Sequence, residues 1–546
     1  MTWTARILPL SILLLSSLFV SLLLADEGHH SMTTEDLGTV HFQTSCSPKV
    51  EAEFNRGVAL LHSFWYEEAE RTFRSVAHED PKCAMANWGI AMSLYHQLWD
   101  YPDAKMLSEG DTLLTKAEAL KATPREQEYI HALHAYYGKS PKGKAEYDHA
   151  ARATAYSEAM EQLATHHAGS NQAGSNQAED REAVVFYALS LLASQPPHDT
   201  TFTNRKKAAA ILEKVFAEEP NHPGVAHYLI HSYDKPQLAE YGLNAARSYA
   251  KIAPMAPHAL HMPSHIFARL GLWQEDIASN LASIAATRKT AAMHMGDAGH
   301  QFHAMDFLVY AYLQSGREAD VLHEIKELDG LKSLDEDEWA YSMAKFPALY
   351  DLELHHWDEA TALQPVAGDH RFPNAMIHFA RAIGAARSGK VEAARRDVKE
   401  IEKVHQSLVS DKKQEAADEV DRLGKEAGAW LALAEGKGDD GVKALRAVAD
   451  EEDAEGAEQA GIPARELLAD MLLQMNRPED ALTEYEASLK SNPGRFNGLA
   501  GAAKAAEKLG KQQQAEGFYT KLLKACVGSN SDRPELRQAR LMLASK

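Results

Sequence analysis

The chain has 546 residues, of which 45 % are hydrophobic, so it can bury a large core and is not predicted to be disordered. Lysine and arginine number 57 against 78 acidic residues, which gives a net charge of −21. This acidic balance, without any basic run interleaved with aromatic residues, excludes nucleic acid from the expected partners.

The N-terminus has the pattern of an export signal. Arg6 precedes a long apolar run that ends at Ala25, after which the sequence turns polar. We therefore interpret 1–25 as a signal peptide or N-terminal anchor and 26–47 as a linker. Leu23 and Ala25 make a poor small-x-small cleavage site, and the run approaches the ~20 residues that span a bilayer, so both fates stay open, with cleavage favoured. The protein is expected to be periplasmic or extracellular, and to meet a membrane only through this segment.

A repeat with a period of 34 residues follows the linker. Phe54 matches Trp88, and near the other end of the chain Ala481 matches Ala515. Each unit contains an apolar helix, a turn, a second helix in which an aromatic residue follows an alanine by four positions, and a closing proline. The units "HSFWYEEAERTFRSVAHEDP" and "NRPEDALTEYEASLKSNP" show this order well. Such a period predicts a helical solenoid, in which each unit buries its apolar face against its neighbours.

The positions of the cysteines in these units predict a disulfide. Export to an oxidising compartment allows such a bond to form. Cys46 precedes the first predicted helix, and Cys83 follows the first helix pair. In an antiparallel pair, the start of the first helix and the end of the second lie at the same end of the unit. We therefore predict a Cys46–Cys83 bridge, which leaves Cys526 as a buried, inert thiol.

Two further features divide the predicted solenoid. "AGSNQAGSNQ" duplicates five small and polar residues, which predicts a flexible insertion at 168–178. All 27 histidines occur up to His405, although the repeats continue beyond it. We therefore divide the chain into a histidine-rich solenoid at 48–405 and C-terminal repeats at 406–546.

Histidines in the middle of the chain follow the repeat register. "PGVAHYLIH" and "PHALHMPSH" align so that His227 matches His261 and His231 matches His265, each pair 34 residues apart. Equivalent positions on stacked units are spatial neighbours, roughly 8–10 Å apart at the backbone. Further histidines have the same or a related spacing, which predicts ladders across adjacent helices built from His62, His96, His227, His231, His261, His265 and His303.

Pro263 restricts where the helix that carries two of these residues can begin. Proline lacks an N–H and clashes with the carbonyl four residues back, so it fits only within the first turn. The helix is therefore predicted to start near Leu260, with His261 and His265 on one face. His258 would then lie in the turn before the helix.

Three interpretations of the histidines stay open. They can donate hydrogen bonds to carbonyls or carboxylates, with Tyr228, Tyr233, Asp234 and Asp306 as available partners. They can recognise a ligand or peptide. They can also hold a divalent transition metal, because histidines at i and i+4 chelate and a neighbouring helix can add a third nitrogen. The residues of that candidate site are His227, His231, His261 and His265.

Catalytic motifs are not recognisable in the sequence. The histidine-rich stretches lack the glutamate of HExxH, and neither CxxC nor GxSxG occurs. Enzymatic activity is therefore not predicted from a motif.

With the units quoted above, the chain resembles the tetratricopeptide-repeat family from about Pro48 to Cys526. It is also similar to exported bacterial repeat proteins that carry "LLHSFWYEEA", "DPKCAMANWGIA" and "GVAHYLIHSYD" and that have no settled activity. The resemblance implies an all-α, right-handed superhelix of antiparallel helix pairs, whose concave surface binds peptides or partner proteins. It also implies that the predicted histidine ladders line this groove.

The expected function is thus an exported scaffold that binds a peptide or partner protein in its concave groove. The alternative is a metal-binding protein or metalloenzyme that uses a histidine cluster on adjacent repeats.

Overall fold

The computed structural model describes residues 36–99, 101–139, 148–168, 180–196, 198–296, 299–456 and 460–544. The predicted signal segment at 1–25 lies outside these ranges, as does the predicted insertion at 168–178 apart from its first residue. Within the described ranges the chain is helical, without a β-strand, and helices that follow one another pack as antiparallel pairs. The protein is therefore an all-α solenoid, as predicted. None of its described helices has both the length and the apolarity needed to cross a membrane.

The first half of the solenoid packs around one hydrophobic core that extends from Leu37 to Met295. Its helices are α1 (Glu51–His62), α2 (Tyr66–Glu79), α3 (Ala84–Ser93), α4 (Ala104–Glu118), α5 (Pro124–Tyr137), α6 (His149–His166), α7 (Arg181–Ala193), α8 (Thr203–Glu218), α9 (Pro223–Tyr233), α10 (Leu243–Ile252), α11 (Pro257–His261), α12 (Pro263–Leu270) and α13 (Trp273–Ala292).

Among its described residues the second half has two further large cores, one from Ala268 to Ala460 and one from Ala348 to Ala539. Its helices are α14 (His300–Gln314), α15 (Glu318–Glu327), α16 (Glu336–Glu353), α17 (Trp357–Ala362), α18 (Arg371–Arg387), α19 (Val391–Ser410), α20 (Gln414–Ala434), α21 (Gly438–Glu455), α22 (Ala464–Gln474), α23 (Pro478–Ser491), α24 (Phe496–Lys508), α25 (Gln512–Ala525) and α26 (Pro534–Ala544). Short 3-10 helices occur at Pro48–Val50, Ala239–Gly242 and Leu328–Gly330.

The repeat pattern has a direct packing explanation in the first unit. Ala69 and Phe73 of α2 are completely buried. The Phe73 ring fills the space that two glycines leave on the neighbouring helices, because a Cβ atom at Gly57 or Gly89 would lie 2.7 or 2.4 Å from that ring. Burying such a side chain stabilises the fold by about 1.5–3 kcal/mol, so the small residues and the aromatic residue of the repeat act as one packing unit.

The residues before α1 belong to the fold, so the linker prediction is wrong for 36–47. Leu37 and Phe42 are almost completely buried, and the backbone N–H of Phe42 donates to Oδ1 of Asn55 at 2.8 Å. A disulfide joins Cys46 to Cys83 across the first helix pair, with an S–S distance of 1.98 Å. Apolar residues of this stretch pack into the core. The linker prediction rested on the position of the stretch before the first repeat and did not take these apolar residues into account.

The predicted division at 405/406 does not coincide with a boundary of the structure. It falls inside α19 (Val391–Ser410), and the surrounding helices share one hydrophobic core. The end of the histidine-rich region therefore marks a change in the side chains that the repeats carry, and not a domain boundary.

Helices far apart in sequence close the solenoid on itself. The indole N–H of Trp273 donates to the carbonyl of Gly494 at 2.9 Å. The two backbone segments are in such close contact that a Cβ atom at Gly494 would lie 3.1 Å from Cα of Gly271. Next to this contact, the buried guanidinium of Arg495 donates to the Glu353 carboxylate at 2.7 Å. The C-terminal repeats thus pack against α13 to α16.

Candidate metal centre

Three neighbouring segments carry the central histidines. Pro223 and Pro257 occupy the first turns of α9 and α11, where a fixed φ and a missing N–H favour helix initiation. The predicted helix start near Leu260 is therefore wrong, because Pro257 itself begins the helix, and Pro263 begins the following segment α12. As a result His258 lies inside α11 and not in a turn.

The first group of histidines consists of His227 and His231 on α9 and His258 on α11, and we call it the first triad. Nε2 of His227 lies 3.1 Å from Nε2 of His258 and 3.1 Å from Nε2 of His231. The three ring nitrogens all lie within 4.8 Å of one another. His227 and His258 are almost completely buried.

The second triad consists of His261 on α11, His265 on α12 and His303 on α14. Nε2 of His261 lies 3.0 Å from Nε2 of His265, and the three rings again bring a nitrogen each within 4.8 Å. The His303 side chain is exposed and faces a cavity. Ring centroids of the two triads approach to 6.1 Å between His258 and His261, so the triads are adjacent.

Hydrogen bonds at the opposite ring nitrogen orient several of these side chains. Nδ1 of His227 donates to the carbonyl oxygen of His62 at 2.7 Å, and Nδ1 of His261 donates to Oδ1 of Asn280 at 2.7 Å. Nδ1 of His265 donates to the carboxylate of Asp234 at 2.9 Å. Because each of these partners is an acceptor, the hydrogen of the neutral ring is on Nδ1 and the lone pair of Nε2 points into the triad.

Two such lone pairs that face each other repel, unless a proton or a cation lies between them. In the second triad this applies to His261 and His265, whose Nε2 atoms are 3.0 Å apart. Burial, reinforced by His303 and His265, lowers the pKa of His261 well below 6.5, which disfavours a proton on that ring. A metal cation relieves the repulsion without protonating a buried ring.

Burial also keeps the rings of the first triad neutral, and therefore able to act as ligands. The pKa of His227 is lowered to about 3, because burial penalises the imidazolium and neighbouring histidines add to the penalty. The same causes lower the pKa of His231 and His258 well below 6.5. At neutral pH these three rings carry a lone pair that can bind a metal.

The separation of the nitrogens fits a metal site. Tetrahedral Zn²⁺ with bonds of 2.0–2.1 Å places its ligand nitrogens about 3.3–3.4 Å apart. The observed Nε2 separations of 3.0 to 3.1 Å need only a small outward movement of the rings to reach that value.

The two triads differ in what covers them. Phe64 packs against the first triad, with its ring centroid 4.3 Å from that of His227, and Trp99 lies 5.7 Å from His231. Phe64 has a φ of +52°, an uncommon conformation for a bulky residue that places its ring over the histidines. The second triad, in contrast, borders a large cavity through His265 and His303.

A third histidine cluster lies beneath the first triad and is already satisfied by hydrogen bonds. Both oxygens of the Glu182 carboxylate are engaged, one by Nε2 of His62 at 2.9 Å and the other by Nε2 of His222 at 3.1 Å. These two partners lower the pKa of Glu182 despite its burial. Nδ1 of His62 pairs with the Tyr228 hydroxyl at 2.9 Å. His62 is fully buried, so the prediction that it lines the groove is wrong; it supports His227 through its backbone carbonyl.

The predicted seven-residue ladder is therefore divided among four environments. His227 and His231 belong to one triad, and His261, His265 and His303 to the other, so the single predicted metal set on four histidines is split in two. His96 belongs to neither triad; it stacks on Tyr66 with a centroid distance of 4.3 Å. It lines a separate cavity.

Several residues of the centre were missed by the sequence interpretation. His258 was assigned to a turn, although its three-residue spacing from His261 would have placed both on one helix had Pro257 been taken as the start. Glu182 and Asn280 have no signal in the repeat, because they reach the histidines from other helices. Asp234 was recognised as an available partner, and it does bind His265.

Comparison with known proteins supports the repeat assignment. Residues 466–530 match the tetratricopeptide-repeat family. Residues 466–530 thus carry tetratricopeptide repeats. The match falls on α22 to α25, whereas the histidine triads lie in repeats that depart further from the common pattern. No curated protein matches the sequence significantly.

Solved structures of repeat proteins are similar to this chain at low identity. Human IFIT1, solved as a dimer with PPP-AAAA, is 10 % identical, with a TM-score of 0.36, and the match covers 85 % of this chain and 94 % of that one. Yeast Tom70 is 12 % identical, with a TM-score of 0.27 and coverages of 91 % and 95 %. For the Cut9–Hcn1 hetero-tetramer of APC/C the values are 9 %, 0.30, 90 % and 96 %. At these identities and TM-scores the three structures carry no argument about the ligands of this chain.

Proposed function

We propose that this protein binds two transition-metal ions, one at each histidine triad. The observation that carries the proposal is the convergence of three ring nitrogens within 4.8 Å in each of two adjacent groups: His227, His231 and His258, and His261, His265 and His303. Neutral imidazole is a ligand for Zn²⁺, Cu²⁺, Fe²⁺ and Ni²⁺. The lowered pKa values of His227, His231, His258 and His261 keep those four rings in that form.

Three histidines leave one position open on a tetrahedral ion. Structural zinc sites complete their coordination with protein ligands, whereas sites that act on other molecules keep an open position for water or substrate. Phe64 and Trp99 cover the first triad, which suits an ion that stabilises the fold. The second triad borders a cavity, which suits an ion that binds a further ligand.

Metal analysis of the full chain tests this proposal. Protein purified without an affinity tag, stripped with a chelator and titrated with Zn²⁺ should take up two ions per chain, as counted by inductively coupled plasma mass spectrometry. His231→Ala and His265→Ala should each lower the count to one, and the double variant should bind none. His166→Ala is the matched control, since that ring is 65 % exposed and lies on α6.

Two results would overturn it. The wild-type chain could fail to bind stoichiometric Zn²⁺, Cu²⁺, Fe²⁺ or Ni²⁺ at neutral pH. The variants could also lose helical content by circular dichroism in the absence of metal, which would show that the rings serve packing.

Tetratricopeptide repeats support binding of a partner protein in general, and we propose that the exposed surface of this chain captures a peptide or protein. Tyr241, at 69 % exposure, and Tyr101, at 46 %, are among the large apolar side chains available for such contacts. Capture by the immobilised wild-type chain, but not by a Tyr101→Ala/Tyr241→Ala variant of equal helical content, would support this second function. Equal capture by both would contradict it.

We also propose that the protein is exported. The apolar segment that ends at Ala25 and the Cys46–Cys83 disulfide both support this, because disulfides persist in oxidising compartments. Cell fractionation tests it, and recovery of the chain with reduced thiols from the cytoplasm would contradict it.

A further inference from the structure

A cavity of about 780 Å³ lies against the second triad, and His265 and His303 form part of its wall. Its wall is rich in charged side chains of both signs. The cationic ones are Arg205, Lys235, Arg269, Lys345, Arg371 and Lys413, and the acidic ones are Asp234, Asp306, Asp337, Glu338 and Asp369.

Most of the buried charges on this wall are paired within the protein. The Asp234 carboxylate accepts from Nε of Arg269 at 3.0 Å, in addition to its bond with His265. Lys345 donates to Asp306 at 2.6 Å. These pairs neutralise one another and leave no surplus charge for a ligand.

Arg205 and Lys235 differ, because their hydrogen bonds go to neutral backbone oxygens. The guanidinium of Arg205 donates to the carbonyl of His231, while its Nε is buried without a hydrogen-bond partner among the described residues. Nζ of Lys235 donates to the carbonyl of Glu455 at 2.7 Å and more weakly to that of Gly456. Within the described residues neither of these two cations forms an ion pair. The nearby Asp234 carboxylate acts on both but also pairs with Arg269, so positive charge is in local excess next to the second triad.

The ionisation of Lys235 reflects that excess. Burial lowers its pKa to about 8, and the nearby positive charges of Arg205 and Arg269 lower it further than Asp234 can compensate. A bound anion would remove this penalty, since it would place a negative charge beside both cations.

An apolar cavity of about 450 Å³ continues from the charged one. The two share Tyr341, Lys345, Phe372 and Ala416 in their walls. The remainder of the second wall has a larger apolar part, with Leu349, Leu352, Met376, Phe379, Leu423 and Ile462, and a charged part, with Glu415, Glu419, Arg422, Glu426 and Glu452. Apolar surface of this kind gains from burying the hydrocarbon part of a ligand.

We propose that the joined cavities bind an organic carboxylate with an apolar body. Its carboxylate accepts hydrogen bonds from Arg205 and Lys235 beside the second triad, and its hydrocarbon part occupies the apolar cavity. The inference extends the proposed function by naming the class of ligand that meets the second metal ion, but the two cations and the apolar wall carry it independently of metal.

Octanoate, octanol and acetate separate the contributions of the charge and of the apolar body. Calorimetric titration of the full chain should show octanoate binding at least about 10-fold more tightly than either acetate or octanol, because each of these lacks one of the two parts. Arg205→Gln and Lys235→Gln should each weaken octanoate binding by roughly 10-fold or more. Arg205→Lys should retain more affinity than Arg205→Gln.

Lys206→Gln is the matched control, because Lys206 is the next residue on α8 and is exposed. It should leave octanoate affinity unchanged. Octanol binding as tightly as octanoate would overturn the proposal, as would unchanged affinity in both Arg205→Gln and Lys235→Gln.

Running the titration on stripped and on zinc-loaded protein keeps the two proposals apart. If the chain takes up two zinc ions but octanoate does not bind, the carboxylate site is wrong and the metal centre stands. If no zinc binds but octanoate binding depends on Arg205, the metal centre is wrong and the carboxylate site stands.

Discussion

The carboxylate of Asp234 lies 2.9 Å from Nδ1 of His265, although the two residues belong to different repeats. Asp234 ends α9 and also accepts from Arg269 at 3.0 Å, so the carboxylate is held in place on both sides. A histidine whose second nitrogen donates to a carboxylate is a stronger metal ligand and has a fixed ring orientation. Asp234, which ends α9, therefore orients the candidate ligand His265 on α12.

Asp234→Asn tests this link. The amide keeps the size of the side chain but removes the negative charge, so we expect zinc affinity at the second triad to fall roughly 10- to 100-fold. Affinity at the first triad should not change. Competition titration against a chromophoric chelator resolves the two sites. The control is Asp358→Asn, whose carboxylate is 75 % exposed in a surface ion pair, and equal loss in both variants would contradict the assignment.

Glu426 on α20 should make the stability of the protein pH-dependent. Burial, with a contribution from Glu452, raises the pKa of this carboxyl from 4.5 to about 8. Between these values the folded state binds more protons than the unfolded state, so the free energy of unfolding falls as pH rises. Glu426→Gln removes the titration. We expect the variant to match wild type near pH 4.5 and to exceed it by at least about 1 kcal/mol at pH 8.

Thermal unfolding monitored across pH 4.5 to 9 measures this difference. Glu415→Gln, at an exposed position of the same helix, should give a difference that does not grow with pH. A constant gap between Glu426→Gln and wild type over the whole range would show that the carboxyl ionises at its ordinary pKa.

Arg495 holds the closing contact of the solenoid. Its guanidinium is completely buried and contacts the carboxylates of Glu353 at 2.7 Å and Glu466 at 2.6 Å. Arg495→Ala leaves two carboxylates buried without their cation, so we expect a loss of about 3–5 kcal/mol in the free energy of unfolding.

Arg477→Ala provides the comparison for that experiment. Arg477 pairs with Asp480 on the surface, where such pairs contribute about 0–1 kcal/mol. Urea denaturation followed by circular dichroism compares the two variants. A similar, small loss in both would mean that the Arg495 network does not hold the C-terminal repeats in place.

The Cys46–Cys83 disulfide closes a loop of 37 residues. Its loss in the Cys46→Ser/Cys83→Ser variant should lower stability by about 3–4 kcal/mol, because the unfolded chain regains the entropy of that loop. Differential scanning calorimetry should show a lower Tm for this variant than for wild type. Addition of a reductant should lower the Tm of wild type but not that of the variant. Cys526→Ser should remain as sensitive to the reductant as wild type.

The all-α solenoid could be predicted from the sequence because each repeat contains the residues that determine its own helix pair. Ala69 and Phe73 recur with their partners at a fixed spacing, and that spacing is enough to predict antiparallel helix pairs. The four-residue spacing of His227 and His231, and of His261 and His265, also predicted that the members of each pair lie close together, whereas the register-equivalent residues of the two pairs fall in different triads. A periodic pattern predicts contacts between equivalent positions of adjacent units.

The remaining contacts depend on departures from the period, which a repeat pattern cannot encode. His258 joins His227 across an interval of 31 residues, because Pro257 begins its helix three residues earlier than Pro263 suggests. Glu182 reaches His62 over 120 residues. The closing contacts of Arg495 likewise involve helices whose separation is unrelated to the repeat length.

The closure at Gly271 and Gly494 also restricts how the number of repeats can change. An open array tolerates the gain or loss of a unit, since each unit contacts only its neighbours. In this chain, deletion of one helix pair between α14 and α23 would displace the C-terminal repeats from the helices that they contact. Both the Trp273–Gly494 contact and the Glu353–Arg495 contact would then be lost. The number of repeats is therefore fixed by the requirement that the segments at Gly271 and Gly494 remain in contact.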